Sequence, residues 1–427
     1  KKTENSFIAY AKNELFNLTE KNAYEKHKII INTSYNAKFQ KILENVFNKN
    51  ESAAEISALI LNKQGEVEAY YSTSGIQEKR QIGSTIKPLA VYAPAIELGT
   101  IYSCSKILDE KTVFGDYAPA NYKNKYYGNV SARFALSKSL NIPSIKILSL
   151  TGVKKSLNYI KKTDIELTDA DENLTVALGA TVNGAKIDDL AAAYATFICG
   201  GDFTHAHSIK SVKKEGKTLY DEHNKINIFS KDTAYVISDM LKESVISGTA
   251  KKLKTDGITL SAKTGTVGNE KGNTDAYCVS FSSEYVLCVR FSAKNGDLMP
   301  NSITGGTAPA TASHEIWRKI YPEGTSENIT KPESVKELKI DSISYDKDGV
   351  IEIADEIAPE RFRKTELFTK NNYPKGVSTR FSLPTVDEYE LSVKNNVICI
   401  RLCLAQYYGI KIYKVSDKVE TTVYESN

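Results

Sequence analysis

Apolar residues recur at helical spacing over Ser6–Leu18 and again over Ala37–Phe47 (AKFQKILENVF), with a short apolar run, HKIIIN at 27–32, between them. This opening predicts helix, strand, helix. The first 50 or so residues are too few for a core of their own, so they are expected to pack against the next stretch of chain. From Ile56 the pattern becomes strand-like: ISALILN and VEAYYS flank Lys63-Gln64-Gly65, a turn that ends in glycine, and predict a hairpin. Helical patterns return at 84–98, closed by Gly99, and at 132–139 after a Tyr/Asn/Gly-rich loop over 114–130. Two more occupy 187–198, ended by Gly200-Gly201, and 233–247. Three strand-like runs then come in close succession, TLSAKTGTV, DAYCVSFS and YVLCVRFSA, before a last helix over 309–320 (PATASHEIWRKI).

A hairpin at the start, clustered strands at the end and helices between them predict one mixed α/β (α+β) domain over about 51–322. Its sheet should be mainly antiparallel, flanked by helices, and should join the first and last parts of the chain. Residues 323–330 (EGTSENIT) form a polar linker. Residues 331–427 are rich in Val, Ile and Tyr in short alternating runs such as VICIRLCL and YYGIKIYKV, which predict a small β-rich accessory module.

Composition narrows the function classes. A hydrophobic share of 41% and a charged share of 25% suit a soluble globular protein. The net charge of +4 gives no warrant for nucleic-acid binding, although a mildly basic surface suits an anionic wall or membrane surface. No run approaches the ~20 apolar residues of a membrane helix, and no signal-peptide pattern is present. The chain opens Lys1-Lys2 directly into helix-like sequence and reads as an internal fragment, its anchor removed. Six cysteines (104, 199, 278, 288, 399 and 403) lack metal-site spacing and read as buried free thiols. Cys278 and Cys288 are expected on neighbouring strands, where they could face one another. Cys399 and Cys403 lie about 13 Å apart in an extended strand, too far to pair. His205 and His207 have no third ligand at metal-site spacing and read as a polar strand end. No P-loop or GxGxxG run appears, so no nucleotide is implied, and neither a cofactor nor a metal is expected.

Candidate chemistry begins at Gly83-Ser84-Thr85-Ile86-Lys87-Pro88. Serine three residues before lysine on a helix places both side chains on one face, with Ser84 near the positive end of the helix dipole. A serine hydroxyl becomes nucleophilic when a nearby base takes its proton. Lysine serves as that base when burial or a cationic neighbour lowers its pKa. Alone, this spacing equally describes an N-cap serine beside a solvated lysine. Further on, Ser139-Leu140-Asn141 offers a hydroxyl and an amide where a helix gives way to a loop. Lys263-Thr264-Gly265-Thr266 lies in a strand, where Gly265 admits a close backbone and Lys263 adds fixed positive charge.

SxxK, SxN and KTG in this order form the signature of penicillin-binding proteins and class A β-lactamases. The segments RQIGSTIKPLAVYAPAIELG, YAPANYKNKYYGNVSARFALSKSLNIPSIKIL, ALGATVNGAKIDDLAAAYATFICGG and SAKTGT resemble the transpeptidase domain of class A (bifunctional) penicillin-binding proteins. The resemblance covers about 51–322. More loosely, 1–50 is similar to that family's pedestal, and 340–375 to its post-transpeptidase segment.

The resemblance implies a peptidoglycan cross-linking enzyme, extracytoplasmic and membrane-attached in its full-length form, whose glycosyltransferase domain is absent from this sequence. It implies that Ser84 attacks the D-Ala-D-Ala bond of a stem peptide, with Lys87 as its base. Ser139 would relay a proton to the leaving amine beside Lys263, and Asn141 would bind the donor backbone. Thr264 and Thr266 would hold the terminal carboxylate, or that of a β-lactam, with Gly265 between them. The N–H groups of Ser84 and Thr266 would form the oxyanion hole. Stem peptides, acceptor amines, β-lactams and wall-synthesis proteins are the implied partners. Ile82, Val267 and Tyr277 depart from the family's usual residues without removing a reacting group. Two alternatives remain open: a β-lactamase or D,D-carboxypeptidase of the same superfamily, and a non-catalytic β-lactam sensor or scaffold. Against the β-lactamase, residues 166–172 lack the Glu-x-x-Leu-Asn arrangement that activates a deacylating water.

Overall fold

The computed structural model describes residues 5–18, 29–48, 54–75, 78–214, 217–220, 224–294 and 297–381, and the backbone of 389–394, 397–402, 411–416 and 419–425. The chain forms two compact units: Lys1–Leu338 with Thr365–Tyr373, and Lys339–Lys364 with Pro374–Asn427.

The first unit opens with α1 (Ser6–Leu18), β1 (Ile29–Thr33) and α2 (Ala37–Phe47), then the hairpin of β2 (Glu55–Asn62) and β3 (Val67–Ser72). A helical segment then ends in α3 (Ala93–Glu97), and β4 (Lys106–Asp109) pairs with β5 (Gly128–Ser131). Next come α4 (Ala132–Ser137), α5 (Asn141–Thr151), α6 (Val153–Ile160) and α7 (Ile187–Ala195). Four short strands, β6 (Asp202–Thr204), β7 (Ile209–Lys214), β8 (Lys217–Tyr220) and β9 (Lys225–Asn227), lead to the long helix α8 (Lys231–Ile246). The unit's main strands close the series, β10 (Ser261–Asn269), β11 (Gly272–Phe281) and β12 (Tyr285–Ser292), before α9 (Ala308–Ile320).

Five strands in the order β10-β11-β12-β2-β3 make an antiparallel sheet, so the beginning and end of the domain meet as the pattern predicts. Strands β2 and β12 are buried almost throughout because helices cover both faces, and their sequences run apolar without interruption for that reason. On one face Ala58, Ile60, Cys278, Leu287 and Val289 pack with Phe39, Ile42, Leu43 and Val46 of α2 and Trp317 of α9. On the other, Leu59, Leu61, Val279 and Cys288 pack with Ile86, Leu89 and Tyr194. The α2 residues lie three and four apart, one helix face, and Asn36 caps the helix by accepting the Phe39 N–H at 3.1 Å.

The register corrects one expectation. Cys278 pairs with Val289 and Cys288 with Val279, an offset of one residue that sends the two thiols to opposite faces of the sheet. Both are buried and free. The first helix is joined to the domain by polar and aromatic contacts: the Tyr10 hydroxyl donates to Asp188 Oδ2 at 3.0 Å and its ring lies 5.0 Å from that of Tyr70. Residues 365–373 also belong to this unit, where Asp232 at the start of α8 accepts the Lys370 N–H at 2.6 Å.

The second unit contains a short helix, α10 (Ser342–Asp348), capped by the buried Asp341, which accepts N–H groups of Ile343 and Ser344. It ends in two antiparallel strand pairs, Tyr389–Lys394 with Val397–Leu402 and Lys411–Ser416 with Val419–Glu425. Cys399 falls in the second of these strands, and Cys403 lies outside the described residues, as do His27 and Lys28 of the first predicted strand. No helix among the described residues is long and apolar enough to cross a membrane.

Candidate active site

The helix expected over 84–98 is helical throughout but not one α-helix. Gly83–Ile86 is a 3₁₀ turn, Pro88–Tyr92 a π-helical turn, and only Ala93–Glu97 is α. Two prolines are the cause. Pro88 and Pro94 have no N–H for the carbonyls four residues back, Ser84 and Ala90. The Ser84 carbonyl instead accepts from Lys87 N–H, and the Ala90 carbonyl from the Ser156 hydroxyl at 2.5 Å. The tightened first turn holds Ser84 half-buried and Lys87 fully buried.

Glycines bring three segments together at this turn. A Cβ on Gly265 of β10 would lie 2.7 Å from the Ile82 carbonyl oxygen and 2.8 Å from Thr85 Cγ2. A Cβ on Gly179 would lie 2.0 Å from the Gly83 carbonyl oxygen. The Ser84 turn is therefore gripped between β10 and the 179 loop at backbone distance, closer than any other residue type allows. Tyr194 of α7 adds an anchor, its hydroxyl donating to the Thr85 carbonyl at 2.5 Å.

Helix α4 ends just before Ser139, which has a φ of 58°. This left-handed position is ordinarily glycine's, and a side-chain-bearing residue costs about 1–2 kcal/mol there. Such strain is typical of functional positions. Ser139 Oγ accepts a hydrogen bond from Lys263 Nζ at 2.7 Å. Lys263 also donates to the Thr264 carbonyl at 2.8 Å. Lys87 Nζ donates to the carbonyls of Ser139 (2.8 Å) and Leu140 (3.1 Å) and to Asn141 Oδ1 (2.7 Å). The three predicted motifs thus converge through their lysines on residues 139–141.

Three acceptors match the three N–H groups of an ammonium, so this arrangement suits the protonated form of Lys87. Burial nevertheless pushes its pKa well below the ordinary lysine value, and the charge of Lys263 pushes it further. Burial lowers Lys263 to about 7 against a smaller opposing effect of Cys278. A pair of lysines that hold their protons weakly is what proton transfer near neutral pH requires. To act as a base Lys87 must lose its proton and turn the freed lone pair towards a hydroxyl, exchanging one of its three contacts.

The sheet register separates the KTGT side chains. Lys263 and Gly265 pair with Val279 and Tyr277 and share the face of the Ser84 turn, whereas Thr264 and Thr266 share the other face with Cys278 and Ala276. Thr264 is buried, its hydroxyl donating to Thr249 Oγ1 at 2.7 Å. Thr266 is exposed, and its hydroxyl accepts the Gly305 N–H at 3.1 Å. Thr249 and Gly305 were not singled out from the sequence. The available signal was the pair of small-residue runs, Ser247-Gly248-Thr249 and Thr304-Gly305-Gly306-Thr307, placed just past α8 and just before α9. Asp109 and Asn121 form a second pair that sequence reasoning missed, joined to Asn141 through the Asn121 amide. A cavity of about 620 Å³ lies elsewhere, lined in part by Tyr10, Asp164, Asp188, Asp189 and His205, and no motif residue lines it. His205 there pairs with Asp164 at 2.8 Å.

This arrangement sits within a recognised sequence family. Residues 35–283, more than half of the chain, match the penicillin binding protein transpeptidase domain. The chain belongs to that family. It is 32% identical over 304 residues to penicillin-binding protein 1F of Bacillus subtilis, covering 68% of this chain and 42% of that protein. It is 31% identical over 264 residues to penicillin-binding protein 1A of Clostridium perfringens (strain 13), covering 55% of this chain and 39% of that protein. The chain therefore spans about two-fifths of the length of these relatives. The structure of the penicillin-binding protein PonA1 from Mycobacterium tuberculosis superposes with a TM-score of 0.67 at 20% identity, over 77% of this chain and 94% of that one. The same protein in complex with penicillin V gives 0.67 at 21% identity, with the same coverage. The α+β fold with its antiparallel sheet is that of penicillin-binding transpeptidase domains.

Proposed function

We propose that this chain is a serine D,D-transpeptidase that cross-links peptidoglycan stem peptides and is acylated by β-lactams. The observation that carries the reading is the convergence of Lys87 and Lys263, both buried, on residues 139–141 beside the turn that bears Ser84. Ser84 Oγ attacks the carbonyl carbon between the last two D-alanines while its proton passes to the neutral amine of Lys87. The oxyanion forms near the N–H groups of Ser84 and Thr266, which the Gly265 contact keeps adjacent. Collapse breaks the C–N bond, and the departing amine takes a proton through the Ser139 hydroxyl from Lys263. An acceptor amine then displaces Ser84 and completes the cross-link.

The outer edge of β10 pairs with no other strand among the described residues, which leaves backbone donors and acceptors for an extended donor peptide. Asn141 would hold that backbone, and Thr266 the terminal carboxylate. Thr264 would join it by exchanging its Thr249 contact. Of the carboxylates at 166–172, the region in which a β-lactamase keeps its hydrolytic group, Glu166 pairs with Lys79, Glu172 pairs with Lys161, and Asp171 accepts from Val182 N–H and Thr168, while Asp169 is exposed. The missing Glu-x-x-Leu-Asn arrangement favours transfer to an amine over hydrolysis. In the full-length protein the activity belongs outside the cytoplasm at the bacterial membrane, beside other wall-synthesis proteins.

Intact-mass spectrometry with a penicillin tests the reading. One covalent adduct is expected on the wild type and none on Ser84→Ala. A folded wild type that takes up no adduct would sink it, and sustained nitrocefin turnover instead of a stoichiometric burst would point to a hydrolase.

A further inference from the structure

The hydrogen bonds around Asn141 continue outward into two buried polar side chains that none of the three motifs contains. Asp109, the last residue of β4, is 1% exposed, and Asn121, in the loop between β4 and β5, is 4% exposed. Asn121 Nδ2 donates to Asp109 Oδ1 at 2.7 Å and to the Lys125 carbonyl at 3.0 Å. The second oxygen of Asp109 accepts the Tyr127 N–H at 3.0 Å. The other end of Asn121 faces α5, where its Oδ1 accepts the N–H groups of Asn141 (2.8 Å) and Ile142 (3.3 Å).

Those are the first two amides of the helix, which have no partner inside it. Leu140, the residue in the capping position, supplies no side-chain bond. The carbonyl of Ala120 accepts Asn141 Nδ2 at 2.7 Å, which turns Asn141 Oδ1 towards Lys87. Asn121 also holds both ends of an unusual turn. Lys123 and Asn124 have φ values of 58° and 53°, and the Asn124 N–H donates to the Asn121 carbonyl at 2.9 Å. Two consecutive left-handed residues without glycine persist only where their surroundings over-determine them.

We propose that Asn121, held in place by Asp109, is a positioning residue for acylation: it caps α5 from outside and so sets where Asn141 and Lys87 stand relative to Ser84. All three Lys87 acceptors lie in residues 139–141, the segment that runs directly into the amides Asn121 binds. Neither Asn121 nor Asp109 touches the reacting atoms. Their effect passes through Asn141, and a displacement of about 1 Å at a reacting group costs about 10²-fold in rate.

This inference rests on Ser84 as the nucleophile, and the experiment separates the two. Penicillin acylation is followed by intact mass and expressed per folded molecule, with the folded fraction taken from thermal melts. Wild type and Ser84→Ala are run first: a wild type that forms no adduct overturns the nucleophile reading itself. Asn121→Asp sets two carboxylates against each other and is expected to slow the acylation step about 10²-fold, with little change in penicillin affinity. Asp109→Asn is expected to slow it as well. In Asp109→Asn/Asn121→Asp the amide at 109 donates to the carboxylate at 121, and the bonds to Tyr127 and to both α5 amides are kept; only the Lys125 carbonyl loses its donor. That double variant is expected to recover about tenfold over the slower single. Asn121→Ser, too short to span the gap, replaces Asn121→Asp if the latter does not fold. Single variants that acylate at the wild-type rate per folded molecule overturn the proposal, as does a double variant no faster than the slower single.

Discussion

Gly265→Ala probes the distance on which the site depends. The added methyl carbon would lie 2.7 Å from the Ile82 carbonyl oxygen, 2.8 Å from Thr85 Cγ2 and 3.2 Å from Thr85 N, where ordinary contact begins at 3.4 Å. Relief requires β10 and the Ser84 turn to part by about 0.7 Å, the difference between 3.4 and 2.7 Å. Neither side yields easily. Thr85 is bound through its hydroxyl to the Ile82 carbonyl at 2.7 Å and through its own carbonyl to Tyr194, and the Gly179 loop blocks Gly83 from behind. Strand β10 is laddered to β11 along its whole length. A separation of that size moves Lys263 and the Thr266 N–H away from Ser84 together. With about 10²-fold lost per ångström, acylation should fall by about 10- to 10²-fold. Overpacking of this kind costs about 1–3 kcal/mol, a Tm loss of roughly 2–10 °C in a unit of this size. The assay is the rate of penicillin adduct formation by intact mass, alongside a thermal melt. Gly376→Ala is the control, since its Cβ would come no closer than 3.7 Å to the Glu352 side chain. If Gly265→Ala acylates at the wild-type rate with an unchanged Tm, the strand does not set the distance and the reasoning is wrong.

Buried charge governs two further outcomes. Burial lowers Lys263 to about 7, so between pH 7 and its unfolded value near 10.5 the unfolded chain carries a proton there that the folded chain lacks. Stability from this group therefore rises with pH across that window, and Lys263→Met should reduce the rise of Tm between pH 7 and 10. Equal slopes in variant and wild type would refute the shift. The same substitution removes the like charge beside Lys87, so the acidic limb of the residual acylation rate should move to higher pH. Asp189 has the opposite sign: burial first, then the charge of Asp188, raises it from 3.8 to about 7. The folded chain holds a proton between those values that the unfolded chain has lost, so stability falls as pH rises through them. Asp189→Asn should therefore melt higher relative to wild type at pH 8 than at pH 5, and a pH-independent difference would rule this out.

Much of the fold was legible because local patterns carried it. The spacing of Phe39, Ile42, Leu43 and Val46 specified a helix, and the apolar runs of β2 and β12 specified strands. The serine helix was legible as a helix but not as three kinds of turn. Its prolines remove hydrogen bonds, yet where the orphaned carbonyls find partners depends on Ser156, more than 60 residues away. The relation of Cys278 to Cys288 was misjudged because a shift of one residue in register exchanges the faces of a sheet, and no local pattern sets that shift.

For the active site the division is sharper. Sequence alone singled out Ser84, Lys87, Ser139, Asn141, Lys263 and the KTGT strand as candidates, because the proposed chemistry needs particular functional groups and three short motifs carry them in order. Sequence alone did not say that both lysines converge on residues 139–141, that Ser139 adopts a left-handed backbone, or that Thr264 and Thr266 leave the face Lys263 occupies. Nor did it single out Thr249, Gly305, Asp109 or Asn121, whose hydroxyl, amide and carboxyl groups are common in any chain. Their meaning arises from contacts across tens of residues, which only the closed sheet and its covering loops bring within hydrogen-bond distance. The candidate reacting groups were written in the chain, whereas their pKa values, spacing and support were decided by burial and by backbones packed at glycine's distance.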